Sequence, residues 1–467
     1  MENSSELERK SYAQRASHGS IVACTLAVAL ATVCLACSRG ESKDQGHSGG
    51  NAGTGGTTSG GATNGGTTNG GMTSGGATNG GTAGTASQTT GGASATTGGN
   101  SGSGGATGGS PAAGGNSTPT GGKSSTGGAA GSNAGGSAST APGVRFIGRM
   151  DQRDAAGPRF AWSGSGVAAR FDGTSVGVKL TGNQQYTVVI DGTVRPKLVS
   201  MSGTTPIMQG LSAGTHQIEL YRRTEANQGE AQFLGFDFGA GQLLSPPAAK
   251  ARRIELIGDS ISCGYGDEGA DMNCPFSADT ENHYLSYGAI AARNLDAELV
   301  TIAWSGKGVV CNYGDDANSC VDPLPSVYDR ALPNRADSTW DFSSFQPHAV
   351  ILNLGTNDLS TTQDPTQSEF ETGYKAFVQH IRSKYPDAFI LCTNGPMLSG
   401  DDLSKVRSYL ANIVKSFNDA GDTKVKSFEI TPQLAADGYG CDWHPSLATH
   451  RKVADQVTSA LKSALGW

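Results

Sequence analysis

The chain has 467 residues, including 69 glycines, and its 34 Lys and Arg against 41 Asp and Glu give a formal charge of −7 at pH 7. Nucleic-acid binding needs clustered Lys and Arg to neutralise phosphates, and this sequence has no long basic run. A nucleic-acid partner is therefore excluded. So much glycine is unusual for one globular domain, and its distribution along the chain indicates where the folded part begins.

Residues 1–37 have the pattern of an export signal. Arg9, Lys10 and Arg15 precede an uncharged run, residues 21–36, which is short for a membrane span of about 20 residues and close to a signal-peptide core. The run ends in Leu-Ala before Cys37, which resembles a bacterial lipobox and implies that Cys37 is lipidated. Ordinary signal cleavage without a lipid is the alternative. We expect an outer-membrane lipoprotein at the bacterial cell surface, or a secreted protein.

Residues 38–142 form a low-complexity segment that holds more than half of the glycines. Its only large apolar residue is Met72, and after Asp44 its only charge is Lys123. Five-residue units such as Ala-Thr-Asn-Gly-Gly repeat through it, a period that fits neither a strand, a helix nor collagen. So little apolar surface cannot offset the entropy cost of ordering the segment, which predicts a disordered tether.

Residues 143–247 are predicted to form an all-β, jelly-roll-like sandwich. Short segments with strand-like alternation are separated by Asp-Gly and Ala-Gly turn signals, with no helical period between them. These segments are residues 166–171, 175–180, 186–191, 216–222 and 232–238. The run Ser245-Pro246-Pro247 marks the end of this domain.

Residues 248–467 show the pattern of an α/β domain. Apolar runs typical of strands buried on both faces alternate with amphipathic helical stretches, which predicts a doubly wound, flavodoxin-like parallel sheet. The runs are residues 254–257, 299–303, 349–354, 388–392 and 425–430, and the helical stretches are 284–295, 370–384, 403–417 and 449–465. Ligands of such sheets bind beyond the carboxyl ends of the strands.

Four polar motifs stand at those strand ends. They are Gly258-Asp259-Ser260, Ser305-Gly306-Lys307, Gly355-Thr356-Asn357-Asp358 and Cys441-Asp442-Trp443-His444. Together they supply what acyl transfer requires: Ser260 attacks a carbonyl, and His444 takes its proton and returns it to the leaving alcohol. The backbone N–H groups of Ser260 and Gly306, with the Asn357 amide, would hold the oxyanion.

Each motif also has an ordinary structural explanation. A serine after Gly-Asp is commonly a turn residue, and Asn-Asp after a strand commonly caps a helix. Elimination favours His444 as the catalytic base, because the other histidines fall in the leader, the tether, the sandwich, helices or a strand start. His283 remains a weak competitor, predicted at the surface start of a helix.

Taken in order, the four motifs resemble the SGNH (GDSL-like) hydrolases, with Ser260, Gly306, Asn357 and His444 at the family positions. With a β-sandwich in front, the architecture resembles carbohydrate esterase family 2, whose members remove acetyl groups from plant polysaccharides such as xylan. The resemblance implies an esterase on polysaccharide of the xylan or mannan class that needs no cofactor. It also implies that a sugar ring stacks on Trp443, for which plain core packing is the alternative.

The position of the orienting aspartate departs from the SGNH pattern. That residue usually lies three positions before the histidine, where this chain has Cys441, whereas Asp442 lies two before. The sequence leaves two candidates open: the Asp442 carboxylate completes a triad, or a main-chain carbonyl such as that of Trp443 leaves a Ser–His dyad.

The cysteines beyond the leader are even in number, which favours disulfides in an exported chain. We predict Cys311–Cys320 and Cys263–Cys274 as local loop closures and Cys392–Cys441 as a link from the histidine loop to a strand end, with a free thiol as the alternative to the last. No second ligand pair completes Cys441-x-x-His444, so no metal site is predicted.

Two other functions remain open. A lipase or thioesterase could use the same fold, although the loop at residues 306–335 is rich in Asp, Asn and Pro, which favours a polar substrate. A non-catalytic surface carbohydrate-binding protein could carry the fold without the chemistry. The expected partner is an acetylated polysaccharide or oligosaccharide bound by a monomer, with the membrane reached only through the N-terminal lipid.

Overall fold

The structure, a computed structural model, describes residues 143–201, 203–316 and 318–467. These residues all fall within one compact unit. The predicted export signal, the lipidation site Cys37 and the tether lie outside the described residues. Within the described part of the chain, no helix has both the length and the apolar composition needed to span a bilayer.

The N-terminal part is a sandwich of two antiparallel sheets, as the sequence predicts. One sheet has the order β1-β3-β9-β5-β6, with β11 added to β3 and β7 to β5, and the other has the order β2-β10-β4-β8. Apolar side chains from both sheets form a single buried core. The strands are β1 (Val144–Ile147), β2 (Arg159–Phe160), β3 (Gly166–Asp172), β4 (Ser175–Thr181), β5 (Gln185–Ile190), β6 (Thr193–Val194), β7 (Leu198–Val199), β8 (Gly203–Gln209), β9 (Thr215–Arg222), β10 (Ala231–Asp237) and β11 (Gln242–Leu243).

Sequence reasoning missed six of these strands: β1, β2, β6, β7, β8 and β11. Five of them have only two to four residues, too few to show an alternation. Strand β8 is longer, but it lies at the edge of its sheet and contains Pro206, which cannot donate to a ladder. An edge position tolerates that proline, and it also leaves the strand without a regular buried face.

The C-terminal part is a five-stranded parallel sheet with helices, again as predicted. The strand order β13-β12-β14-β15-β16 is that of a flavodoxin-like sheet, in which the crevice for a ligand lies where the order reverses, beside the first strand. The strands are β12 (Arg252–Gly258), β13 (Ala297–Ala303), β14 (Ala349–Asn353), β15 (Phe389–Thr393) and β16 (Val425–Phe428). The helices are α1 (Ser260–Cys263), α2 (Tyr287–Asn294), α3 (Leu324–Val327), α4 (Gln367–Lys384), α5 (Gly400–Asp419) and α6 (Leu447–Leu465).

His283 lies in the interior, and the prediction that it sits at the surface is wrong. It begins a short 3₁₀ helix, His283–Leu285, but only 3% of the residue is exposed. Its Nε2 lies 2.9 Å from the Thr301 hydroxyl, and a Cβ on Gly164 of the sandwich would meet the imidazole at 2.3 Å. Burial lowers the pKa of His283 to about 3, so the ring is neutral at pH 7. It forms part of the contact between the sandwich and the α/β domain.

The sandwich and the parallel-sheet domain share a buried interface. Trp162 of the sandwich is fully buried in the apolar cluster of the α/β domain, together with Ile257 and Tyr328. The fully buried Arg149 guanidinium lies 3.2 Å from the Glu255 carboxylate of β12. Removing one partner of a buried ion pair leaves the other charge unpaired, so this contact is one that both domains must keep.

Candidate active site

Ser260 stands at the short turn between β12 and α1. Strand β12 ends at Gly258, and helix α1 begins at Ser260 with Asp259 as its N-cap, whose carboxylate accepts a hydrogen bond from the Ile261 amide at 3.0 Å. A Cβ at position 258 would lie 2.1 Å from the Ser262 hydroxyl, so this turn requires glycine. The turn presents the Ser260 hydroxyl at the carboxyl end of β12.

His444 meets that hydroxyl. Its Nε2 lies 2.8 Å from Ser260 Oγ, although the two residues are 184 positions apart. The imidazole also stacks on Tyr265, with 4.0 Å between ring centroids. Burial lowers the pKa of His444 to about 4, so the ring is neutral at pH 7 and able to accept a proton.

Main-chain oxygens hold the other ring nitrogen. His444 Nδ1 lies 3.2 Å from the Cys441 carbonyl oxygen and 3.1 Å from that of Asp442. Because both are acceptors only, Nδ1 carries the proton and Nε2 is left as the acceptor. The Trp443 carbonyl, which the sequence suggested for this role, accepts a hydrogen bond from Gln433 instead, at 2.9 Å.

The Asp442 side chain turns towards a neighbouring loop. Its carboxylate accepts hydrogen bonds from the Tyr265 hydroxyl at 2.8 Å and from the Phe276 amide at 3.1 Å. Asp442 and Trp443 both adopt left-handed backbone, with φ of 51° and 63°. This conformation is rare for residues other than glycine, and here it accompanies the approach of two successive carbonyls to the imidazole. The geometry favours the dyad arrangement over the triad.

A disulfide between Cys274 and Cys441 ties the histidine loop to the loop that carries Phe276. The predicted Cys311–Cys320 bridge is confirmed, but the predicted pairs Cys263–Cys274 and Cys392–Cys441 are wrong. Cys263 and Cys392 are buried free thiols, the first inside α1 and the second inside β15. Side chains held inside these elements do not reach the loop cysteines, whereas the loops of Cys274 and Cys441 run side by side.

The two remaining motifs lie beside the serine turn. Gly306 has a left-handed φ of 78° in the turn after β13. Asn357 is 7% exposed, and its side-chain amide donates to the Lys307 carbonyl at 2.9 Å and reaches the Asp259 carboxylate at 3.4 Å. Asn357 thus links the turn that carries Ser260 to the loop that carries Gly306. The sequence predicts the oxyanion donors at this place, next to the turn of Ser260.

Asp358 is a further site residue, quoted in its motif but given no role by sequence reasoning. Its carboxylate accepts hydrogen bonds from the amides of Val309, Val310 and Cys311, at 3.0, 2.7 and 3.0 Å. Asp358 therefore holds the loop that contains Gly306. We call this loop, residues 304–312, the oxyanion loop. The sequence signal that could have identified Asp358 is its position directly after Asn357, the predicted oxyanion donor, with no basic residue nearby in sequence to pair with its carboxylate. Burial raises the pKa of Asp358 to about 6.

Trp443 is half-buried, and its ring packs against Tyr439 with 5.1 Å between centroids. This aromatic pair adjoins the histidine loop and retains exposed ring surface.

The described residues include one group of side chains whose donor atoms are close enough to share a metal ion, within 4.8 Å of one another. This group is Glu225, Cys263 and Glu281.

The site has a serine in contact with a neutral imidazole at the carboxyl ends of a flavodoxin-like sheet. A glycine turn and an asparagine amide lie beside them. This combination defines an SGNH-type serine hydrolase site. Residues 256–452 match the model of the GDSL-like lipase/acylhydrolase family, and residues 146–247 match that of the carbohydrate esterase 2 N-terminal domain. The chain belongs to carbohydrate esterase family 2, a family of carboxylic ester hydrolases.

Relatives cover the same two domains. A family two carbohydrate esterase from Clostridium thermocellum, solved in complex with cellohexaose, is 43% identical, with a TM-score of 0.66 over 70% of this chain and 100% of that one. The cellulase/esterase CelE of Acetivibrio thermocellus is 44% identical over 333 residues, and the match spans 40% of its length. An acetylxylan esterase/glucomannan deacetylase of Cellvibrio japonicus is 26% identical, over 70% of this chain and 90% of the relative.

The pH dependence of activity follows from the burial of His444. We expect kcat/KM to stay high down to about pH 5 and to reach half its maximum near pH 4, because the base is lost only when His444 is protonated. Acetate release between about pH 3 and 8 measures this limb, with circular dichroism at each pH to show that the protein is folded. An acid limb near 6.5, the ordinary pKa of histidine, would contradict the assignment.

The side chain of Asp442 should contribute little to catalysis. We expect Asp442→Asn to lower kcat less than tenfold, because the amide oxygen can still accept from Tyr265 and Phe276 while the main-chain carbonyls stay in place. Loss of a true triad aspartate costs about 10⁴-fold in kcat. Steady-state kinetics of this variant decide between the two arrangements, and a loss of that size would restore the triad.

Proposed function

We propose that this chain is an exported serine esterase that removes O-acetyl groups from a plant polysaccharide, with Ser260 as nucleophile and His444 as base. The contact of 2.8 Å between His444 Nε2 and Ser260 Oγ carries the proposal. In this account Cys37 bears the lipid or marks the cleavage site, and residues 38–142 tether the enzyme to the cell surface.

The proposed mechanism starts from the hydrogen bond between Ser260 and His444. His444 Nε2 accepts the hydroxyl proton as Ser260 Oγ attacks the acetyl carbonyl, and the Cys441 and Asp442 carbonyls stabilise the imidazolium through Nδ1–H. The N–H groups of Ser260 and Gly306 and the Asn357 amide receive the oxyanion. His444 then protonates the sugar oxygen as it leaves. A water molecule, deprotonated by His444, then attacks the acyl-enzyme carbonyl, and His444 returns the proton to Ser260 Oγ as acetate leaves.

The proposed substrate class rests on the relatives and on the surroundings of the site. The Cellvibrio relative is an acetylxylan esterase/glucomannan deacetylase, and the Clostridium relative was solved with a cellohexaose molecule. The ring of Trp443, paired with Tyr439, offers an apolar platform on which a pyranose ring can stack. A β-1,4-linked chain bearing acetyl groups fits these observations better than a lipid acyl ester.

Acetate release from acetylated xylan, glucomannan and pectin tests the proposal, with 4-nitrophenyl esters of acetate and of a long-chain acid as the comparison. We expect acetate from at least one β-1,4-linked polysaccharide, and hydrolysis of the acetyl ester far above that of the long-chain ester. Preference for the long-chain ester would indicate a lipase or thioesterase. Binding of cello-oligosaccharide with no hydrolysis of any ester would indicate a non-catalytic carbohydrate-binding protein.

A further inference from the structure

The loop between β9 and β10 of the sandwich sends a carboxylate into the α/β domain. We propose that Glu225 of this loop is a positioning residue that holds the oxyanion loop and helix α1 in their catalytic arrangement. The sandwich would then form part of the catalytic machinery as well as any substrate surface it provides. The inference rests on the proposed function, because it requires Ser260 and Gly306 to act as described above.

The contacts of Glu225 join the two motifs nearest the reaction. Its Oε2 accepts a hydrogen bond from the Ser305 amide at 2.6 Å, directly before Gly306 in the chain. The same oxygen lies 3.8 Å from the thiol of Cys263, the last residue of the helix that Ser260 begins. One side chain from another domain therefore contacts both the oxyanion loop and the nucleophile helix.

The oxyanion loop is thereby fixed at both ends by buried carboxylates. Asp358 accepts from three consecutive amides that begin at Val309, on one side of Gly306. Glu225 accepts from Ser305 on the other side. Gly306 has no side chain and a left-handed φ, so the backbone around it is held by these two anchors and by the hydrogen bond that its carbonyl accepts from the Tyr313 amide at 2.8 Å. Small displacements of groups aimed at a reacting centre are costly for rate.

The burial of Glu225 supports a functional reason for its presence. The residue is fully buried, burial raises its pKa, and its Oε1 has no hydrogen-bond partner among the described residues. A buried carboxylate costs stability unless it is fully paired. A group that costs stability and contacts the oxyanion loop fits a role in positioning that loop better than a role in stabilising the fold.

The positive charge in this cluster comes from the chain itself. Arg222 is fully buried, its guanidinium donates to the Glu225 carbonyl oxygen at 2.8 Å, and its charge interacts favourably with the carboxylates of Glu281 and Glu225. Among the described residues, Cys263 and Glu281 could share a metal ion with Glu225. The contact that the inference uses is the hydrogen bond from the Ser305 amide to Glu225 Oε2.

Three variants of Glu225 and a control elsewhere in the interface test this role, with a soluble acetyl ester as substrate. Glu225→Gln keeps an acceptor oxygen at the same reach and should retain kcat within about threefold. Glu225→Leu removes the acceptor oxygen, and Glu225→Asp keeps the carboxyl group but withdraws it from the Ser305 amide by one methylene. Both should lower kcat about 10- to 100-fold with KM nearly unchanged, because only the transition state uses the oxyanion donors.

Arg149→Lys is the control, because it weakens a different buried contact between the domains without touching the oxyanion loop. We expect it to lower the melting temperature and leave kcat unchanged. Unchanged kcat in both Glu225→Leu and Glu225→Asp overturns the inference, and so does an equal loss of kcat in the control. If the leucine variant does not fold, the aspartate variant decides.

Ser260→Ala is assayed in parallel to separate this inference from the proposed function. Activity in Ser260→Ala refutes the proposed function itself. If Ser260→Ala is inactive but the Glu225 variants have normal kcat, only this inference is refuted.

Discussion

Replacing Ser260 by alanine will lower kcat for acetyl ester hydrolysis by at least about 10⁴-fold, the largest effect expected of any single change in this chain. The reason is chemical: without the hydroxyl, His444 has no proton to accept from an attacking group held 2.8 Å away, and no acyl-enzyme forms. Substrate binding should persist, because the substitution removes one oxygen from an otherwise unchanged pocket. Initial rates at saturating substrate, with binding measured separately by calorimetry, test both parts.

Ser262→Ala is the matched control for that variant. Ser262 lies in the same short helix and is also buried, but its hydroxyl lies 3.0 Å from the Tyr287 hydroxyl, on a different side of the turn. We expect this variant to keep kcat within a few-fold and to lose some thermal stability. Substantial activity in Ser260→Ala, or equal inactivation of both variants, would contradict the assignment of the nucleophile.

The second large effect concerns the oxyanion. Asn357→Ala should lower kcat about 10²- to 10³-fold with little change in KM, because an oxyanion donor acts on charge that exists only in the transition state. The structure adds a further reason: the Asn357 amide also joins the Lys307 carbonyl to the Asp259 carboxylate, so its removal loosens the contact between the two loops. Full steady-state kinetics separate the effects on kcat and KM.

Asn394→Ala provides the comparison for the asparagine. Asn394 is equally buried and follows the neighbouring strand β15, where its side chain bonds both backbone groups of Ile430. Its loss should destabilise the sheet edge and leave kcat per folded enzyme unchanged. A loss of less than tenfold in Asn357→Ala, or a loss confined to KM, would remove this residue from the oxyanion site.

The sequence was informative where local pattern and topology coincide. Continuous apolar runs predicted the parallel strands, and the rule that ligands bind at their carboxyl ends directed attention to the motifs that follow them. The structure brings Ser260 and His444 into contact there and links Asn357 to the loop of Gly306. The catalytic roles of these residues stay predictions until the variants are assayed.

Features that depend on contacts between distant loops were beyond sequence reasoning. The partner of Cys441 is 167 positions away, and nothing local distinguishes Cys274 from the other cysteines. The left-handed backbone of Asp442 and Trp443, which accompanies the carbonyls at the imidazole, has no sequence signature for non-glycine residues. Glu225 resembles an ordinary loop acid until the other domain is placed against it.

Labelling with an organophosphonate ester tests the central claim, that His444 activates Ser260, most directly. Such a reagent phosphonylates an activated serine and is released by water only slowly, so peptide mass spectrometry can locate it. The account predicts stoichiometric label on the peptide that contains Ser260, parallel loss of acetate release, and no label in His444→Ala. Label on a different residue, or full esterase activity in a protein whose Ser260 is completely modified, would contradict it.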